Sequence, residues 1–291
     1  MEKWKQLIID TERGIFEVFT KGEGPPLCVT HHYSVFNETG DYFAEMFTPF
    51  CTVYLVNLRE AGQSVKAEQP YQLSMLETIF DLEAVRNSLG FDQWLFAGHS
   101  TGGMLGVIYG IAAAENLTGL LLVGAAARDY AAFSSDCIYN EAHPEFQKMQ
   151  DLLEALKREE LNPEEKKELA IQRTKLSLHQ PDRYPHYFNA EHTKSISAMR
   201  LDFFSRELPI FDVTRKLDSI SVPAWIACGE HDVQCPLLYS LEMNERIPGS
   251  QLAIFSNSNH YPFLEEKSKF VQEARSFIEE LDTQNKGRFN I

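Results

Sequence analysis

The stretch Trp94-Leu95-Phe96-Ala97-Gly98-His99-Ser100-Thr101-Gly102-Gly103-Met104-Leu105 decides how the rest of the chain is read. A short apolar run enters Gly98-His99-Ser100-Thr101-Gly102, and a small-residue helix leaves it. A strand that turns into a helix within about three residues forces unusual angles on the middle residue and leaves no room for side chains beside it; flanking glycines remove those clashes. Ser100 then stands exposed at the carboxyl edge of a sheet. The amide of Thr101, at the helix start, points where negative charge on an oxygen would develop. The pattern Gly-x-Ser-x-Gly is common by chance, so its weight depends on its surroundings.

Before this stretch, residues 5–10 and 14–19 alternate as two antiparallel strands, and residues 27–30 and 51–56 read as short buried strands. Residues 39–47 and 73–89 have helical spacing, the second with Ser74 and Glu77 placed as a capping box. After it come a helix over 101–114 and the strand Leu117–Val123. From Arg128 to Pro209 strand-like runs disappear. Phe146, Met149, Leu152, Leu153 and Leu156 form one helical stripe, and Asn162-Pro163-Glu164-Glu165 starts a second helix. A third helix over 189–206 carries Ile196, Met199, Phe203 and Phe204 on one side. Strands return at 223–228 and Gln251–Phe255, separated by a helix over 236–246, and a helix over 265–281 closes the chain ahead of a loose polar tail, 283–291. Strand and helix alternating at short spacing predict a mostly parallel sheet covered on both faces, with a helical insertion.

Composition excludes several classes. A net charge of −15 disfavours nucleic-acid binding, which needs clustered Lys and Arg. No apolar run is long enough for a membrane span or a secretory leader, and the expected location is cytoplasmic. Cys28, Cys51, Cys137, Cys228 and Cys235 are odd in number and scattered, which argues against a disulfide framework or a zinc site. His143, His179, His186 and His192 lie too far apart for a familiar metal-ligand spacing, so no metal and no cofactor are expected. Whether the chain forms a homo-oligomer stays open.

A serine hydroxyl is a weak nucleophile at neutral pH and needs a base, itself oriented by a third group. Asp232 and His260 both sit in loops directly after expected strands, at the sheet edge where Ser100 emerges. Three catalytic residue types at three strand ends, in the order Ser, Asp, His, are far more specific than the pentapeptide. Asp129, after the strand Leu117–Val123, is the rival acid, and His231, beside Asp232, the rival base.

On these residues the chain resembles the α/β-hydrolase superfamily over nearly its whole length. Gly98-His99-Ser100-Thr101-Gly102-Gly103 matches the nucleophile elbow; Asn57-Leu58-Arg59-Glu60-Ala61-Gly62-Gln63-Ser64 resembles the turn Asp-x-Arg-Gly-x-Gly-x-Ser. Val222-Pro223 through Asp232 and Pro236 is similar to the acid loop, and Asn259-His260 through Glu265 to the histidine loop. The resemblance implies an eight-stranded, mostly parallel sheet built from residues 1–127 and 210–282, with residues 128–209 as a helical cap. It is nearest the proline iminopeptidase-like branch, with departures. That branch carries His-Gly-Gly-Pro-Gly where this chain has His31-His32-Tyr33-Ser34, and Asn57 and Glu60 replace an aspartate and a glycine at a turn expected to be tolerant. By position the amides of Tyr33 and Thr101 form the oxyanion hole, His31 hydrogen-bonds within that loop, and His99 packs behind the site.

The expected function is a serine hydrolase that cleaves an ester or amide of a small substrate through an acyl-enzyme on Ser100, with His260 as base and Asp232 orienting it. One alternative is release of N-terminal proline, which needs a cap acid such as Glu141, Glu145, Asp202 or Glu207 facing the substrate's ammonium. Another is a non-catalytic ligand-binding relative. Trp225 and the aromatics Tyr130, Phe133, Tyr187, Phe188, Phe203 and Phe204 are expected in the core, with two or three lining an acyl pocket.

Overall fold

The computed structural model describes residues 3–158 and 160–288. Eight strands form one sheet: β1 (Lys5–Thr11), β2 (Gly14–Lys21), β3 (Pro26–Val29), β4 (Thr52–Val56), β5 (Trp94–His99), β6 (Leu117–Val123), β7 (Ala224–Gly229) and β8 (Gln251–Phe255). Their spatial order is β1-β2-β4-β3-β5-β6-β7-β8. The pairs β1/β2 and β2/β4 are antiparallel, and every later neighbour is parallel.

Alternate residues of one strand feed opposite layers, as the pleat requires. Trp94 and Phe96 join the core under the helices Met75–Ser88, Thr101–Ala112 and Leu237–Arg246. Leu95 and Ala97 join the core under the helix Lys267–Arg288, with Trp225, Phe255, Phe270 and Phe277. Burial on both faces explains why β5 and β6 read as continuous apolar runs. No helix among the described residues is long and apolar enough to cross a membrane.

Several elements differ from their sequence expectations for identifiable reasons. The helix expected over 39–47 is the single turn Tyr42–Glu45, started by Asp41 capping the amides of Phe43 and Ala44. Ser74 caps the amide of Glu77, but the reciprocal arm of the expected capping box is not made, because the Glu77 carboxylate is taken by Arg13 at 2.5 Å. The closing helix runs to Arg288, six residues into the segment expected to be loose, with no proline to stop it; residues 289–291 of that segment lie outside the described ones.

Between β6 and β7 the chain makes an excursion containing the helices Phe146–Leu156, Pro163–Lys175 and Ala198–Glu207. It leaves and re-enters the sheet through one neck, where Arg128 bridges Asp212 and Val213 donates to the Ala127 carbonyl at 2.9 Å. The helix expected over 189–206 begins only at Ala198. Ser197 caps it, and Ser195–Ile196 pair antiparallel with Ser34–Val35, so a strand-like piece does interrupt the excursion. The expected stripe on that helix is also corrected: Ile196 and Met199 are exposed, while Arg200 and Phe204, one turn apart, face the core.

Candidate active site

Ser100 sits between β5 and the helix Thr101–Ala112 with φ 57° and ψ −122°, a region that residues with a side chain rarely adopt. The glycines around it are required by space. A Cβ on Gly98 would stand 2.1 Å from the Gly102 carbonyl oxygen, and one on Gly102 would stand 2.3 Å from that of Thr30. The second approach clamps the helix start against the loop after β3, where the expected oxyanion residues lie.

The sheet brings the three expected catalytic residues to one edge: Ser100 follows β5, Asp232 follows β7 and His260 follows β8. His260 Nδ1 lies 2.9 and 3.0 Å from the two Asp232 oxygens, and both residues are buried. A carboxylate only accepts, so Nδ1 carries the proton and Nε2 is left with its lone pair. Asp232 is held in turn by the amides of Gln234 and Cys235 at 2.8 and 2.9 Å. The Ser100 amide donates to the Val123 carbonyl at 2.8 Å, and the next residue, Gly124, takes the left-handed φ of 53° beside Asp232 and His260, where a Cβ would stand 3.1 Å from Asp232 Oδ2. His99 backs the base, with its Nε2 at 2.7 Å from the His260 carbonyl and the two ring centroids 4.5 Å apart. Burial, helped by the neighbouring His260, pushes His99 well below the usual histidine range, so it is the neutral ring that donates.

The rival residues are placed elsewhere. Asp129 closes a turn by accepting the amides of Ala131 and Ala132. His231 stacks on His179 of the excursion, with ring centroids 4.3 Å apart.

His31 links the two halves of the expected oxyanion hole. Its Nε2 is 3.0 Å from the Thr101 hydroxyl and its Nδ1 is 3.0 Å from the Ser34 hydroxyl, while burial and the charge of Lys194 hold it neutral, well below the usual range. His32, in the place of the branch's glycine, is fully buried. What makes room for it is a residue the sequence reading missed. Arg200 reaches in from the excursion and donates through Nε to the His32 carbonyl; Nη2 lies 3.2 Å from His32 Nδ1, and further donations go to the Arg59 carbonyl at 3.1 Å and the Thr78 hydroxyl at 2.8 Å. Burial lowers this guanidinium to about 10. Glu207 completes the set, 3.4 Å from His32 Nε2 and accepting from the Met75 amide at 3.1 Å. No local pattern marks an arginine as the inward face of an amphipathic helix.

The departures in the second-strand turn also find causes. Asn57 donates to the buried Glu17 carboxylate at 2.7 Å, which an aspartate would repel. Glu60 occupies a left-handed position, φ 67°, where glycine would be unstrained, and its carboxylate offsets this by accepting the Ala67 amide at 2.7 Å.

The histidine loop is tied to the excursion by Glu265, which accepts the amides of Asn259 at 2.8 Å and His179 at 2.7 Å, and by the His260 amide donating to the Ser177 carbonyl. Burial outweighs those donors and lifts the Glu265 carboxyl to about 7. A carboxyl raised in the fold is more protonated there than in the unfolded chain, so its contribution to stability is full below its ordinary pKa of 4.5 and is lost as pH rises toward 7. The excess unfolding free energy of wild type over Glu265→Ala is therefore expected to shrink by up to about 1.4 kcal/mol per pH unit across that window, read from urea melts at several pH values. A constant difference would show that Glu265 does not titrate there.

A cavity of about 690 Å3 lies between the sheet edge and the excursion, lined by chain neighbours of Ser100 and His260 but not by Ser100, Asp232 or His260 themselves. His31, His99 and Tyr261 line its floor, and Arg173, Phe188 and Lys194 are among the residues on its outer wall. Of the aromatics expected in the core, Trp225, Tyr130, Tyr187 and Phe204 are buried, Phe188 lines the cavity, and Phe133 is exposed under Arg128. None of the four acids expected to meet an ammonium lines it: Glu141 is exposed, Glu145 and Asp202 are exposed and paired with Lys148 and Arg206, and Glu207 serves His32.

Comparison with known proteins agrees with this architecture. The family model described as alpha/beta hydrolase fold matches residues 35–267. The solved structure of an alpha/beta fold family hydrolase from Bacillus anthracis str. Sterne is 41% identical, covers 96% of this chain and 99% of that one, and superposes with a TM-score of 0.90. An esterase from Exiguobacterium antarcticum, 22% identical over 94% of this chain and all of that one, shares the fold with a TM-score of 0.70. A curated proline iminopeptidase from Saccharolobus solfataricus is 36% identical over 75 residues, 26% of this chain. That match spans about a quarter of the relative's own length, 24%.

Proposed function

The chain belongs to the α/β hydrolase fold family, and we propose that within it the chain is a serine hydrolase of small esters or amides. The observation that carries the reading is His260, fixed through Nδ1 on Asp232, with no hydrogen bond on Nε2 among the described residues, and packed on His99, which precedes the strained Ser100. In this reading Ser100 Oγ attacks the carbonyl carbon and His260 Nε2 takes its proton. The amides of Tyr33 and Thr101 receive the oxyanion, and His260 returns the proton to the leaving group. Water, deprotonated by the same imidazole, then releases the acid from Ser100. Residues 128–209 act as the cap, residues 1–127 and 210–282 as the core, and the cavity between them takes a small molecule. The buried thiols of Cys28, Cys137, Cys228 and Cys235 suit a reducing, cytoplasmic setting.

A fluorophosphonate probe is expected to label the native protein once, with the added mass on the peptide containing Ser100. Labelling elsewhere, or none in protein that melts cooperatively, would reject the reading. Release of N-terminal proline is the second reading, favoured by the local matches to proline iminopeptidases. Assaying proline β-naphthylamide beside short p-nitrophenyl esters separates the two.

A further inference from the structure

Arg173 stands near the end of the helix Pro163–Lys175 and lines the cavity together with His99 and Tyr261, the chain neighbours of Ser100 and His260. Three other polar groups of the lining, Asp41, Lys194 and Tyr42, are already satisfied. Asp41 holds Lys194 at 3.0 Å and caps the amides of Phe43 and Ala44, and the Tyr42 hydroxyl donates to the Ala190 carbonyl at 2.5 Å. The Arg173 guanidinium, part-buried, makes no hydrogen bond and no ion pair among the described residues. No carboxylate is among its titratable neighbours, which are Tyr33, Tyr139 and Tyr261, phenols that burial keeps neutral. Two of those tyrosines flank the chemistry: Tyr33 offers an oxyanion amide, and Tyr261 follows His260.

A guanidinium drawn out of water without an anion is costly, and a ligand carboxylate removes that cost by taking two parallel N–H donors at once. The rest of the cavity favours the same sign. Asp41 and Lys194 neutralise each other, which leaves Arg173 and Lys167 against Glu191 in a protein whose net charge is −15. Such a local reversal of sign concentrates anions at the cavity.

We propose that Arg173 is a specificity-determining residue that binds a free carboxylate on the substrate, so that the preferred substrates are small esters or amides bearing a second, anionic carboxyl group. This rests on the serine-hydrolase reading and opposes the aminopeptidase alternative, whose substrate brings a cation.

The test compares kcat/KM for monomethyl glutarate and methyl valerate in wild type, Arg173→Gln and Arg173→Lys, and calorimetric binding of glutarate and of inorganic phosphate to Ser100→Ala with and without Arg173→Gln. Wild type is expected to prefer the anionic ester, and Arg173→Gln to shift that ratio about 10- to 100-fold toward the neutral one, as loss of a charge-assisted pair implies. Arg173→Lys, which keeps the charge without the fork, falls between and serves in its place if the glutamine variant does not melt cooperatively. Glutarate binding is expected to be lost with Arg173 and to exceed phosphate binding. An unchanged ester ratio overturns the inference and leaves the hydrolase reading standing. Arg173-dependent glutarate binding with no ester turnover by wild type supports the inference and overturns the hydrolase reading. Phosphate binding as tight as glutarate, or glutarate binding indifferent to Arg173, overturns the assignment to a carboxylate.

Discussion

Ser100→Ala is expected to lower kcat/KM for a short p-nitrophenyl ester by about ten-thousand-fold or more, because the residue supplies the attacking atom itself and not a refinement of its placement. The melting curve should hardly move, since alanine keeps the backbone angles that serine already tolerates. Ser100→Gly should abolish turnover equally but differ in stability. At φ 57°, ψ −122° a side chain costs about 1–3 kcal/mol that glycine avoids, and the extra freedom of glycine in the unfolded chain offsets a part of that gain. Urea melts of the two variants should therefore rank glycine above alanine by roughly 1 kcal/mol. Equal stabilities would mean that the elbow is relaxed; retained turnover in either would remove Ser100 from the reaction.

Asp232→Asn carries the second large effect, a loss of about a thousand- to ten-thousand-fold in kcat. An asparagine presents an N–H or a carbonyl to His260 Nδ1 with little energetic difference, so the ring can turn the wrong tautomer toward Ser100 and loses the charge that stabilises its protonated form. Asp129→Asn is the control. The side-chain hydrogen bonds of Asp129 among the described residues come from the amides of Ala131 and Ala132, which an asparagine oxygen also accepts, so most turnover should survive. A loss in Asp129→Asn as deep as in Asp232→Asn would move the acid to the end of β6 and reject the present assignment.

Much of the site is legible because its signals are short-range. Gly98 and Gly102 answer clashes with atoms a few residues off or on the adjoining strand end, so the elbow is visible in a pentapeptide. The positions of Asp232 and His260 follow from counting: each comes just after an apolar run of strand length, and in a parallel sheet all such ends gather at one edge. The closing helix, by contrast, runs past its expected end at 281; its polar last turns carry no apolar spacing by which that expectation could extend further.

What stayed hidden depends on partners far away in the chain. Arg200 reads as solvent-facing, yet it is the most deeply used residue of its helix, because the carbonyl of His32, 168 positions distant, needs a donor. The pairing of Ser195–Ile196 with Ser34–Val35 is two residues long and has no pattern of its own. Glu145 and Asp202 are plausible ammonium ligands on composition alone; their exposure and their salt bridges with Lys148 and Arg206 place them on the outside.

The sequence by itself determined the sheet, the elbow and the order Ser, Asp, His, since backbone sterics and strand periodicity act over a few residues and leave their mark there. Only the tertiary structure decided which charged groups of the excursion turn inward. Burying a charge depends on the partners that the rest of the fold supplies: Arg200 finds carbonyls, Glu207 finds a histidine and an amide, and Arg173 finds none among the described residues and lines the cavity.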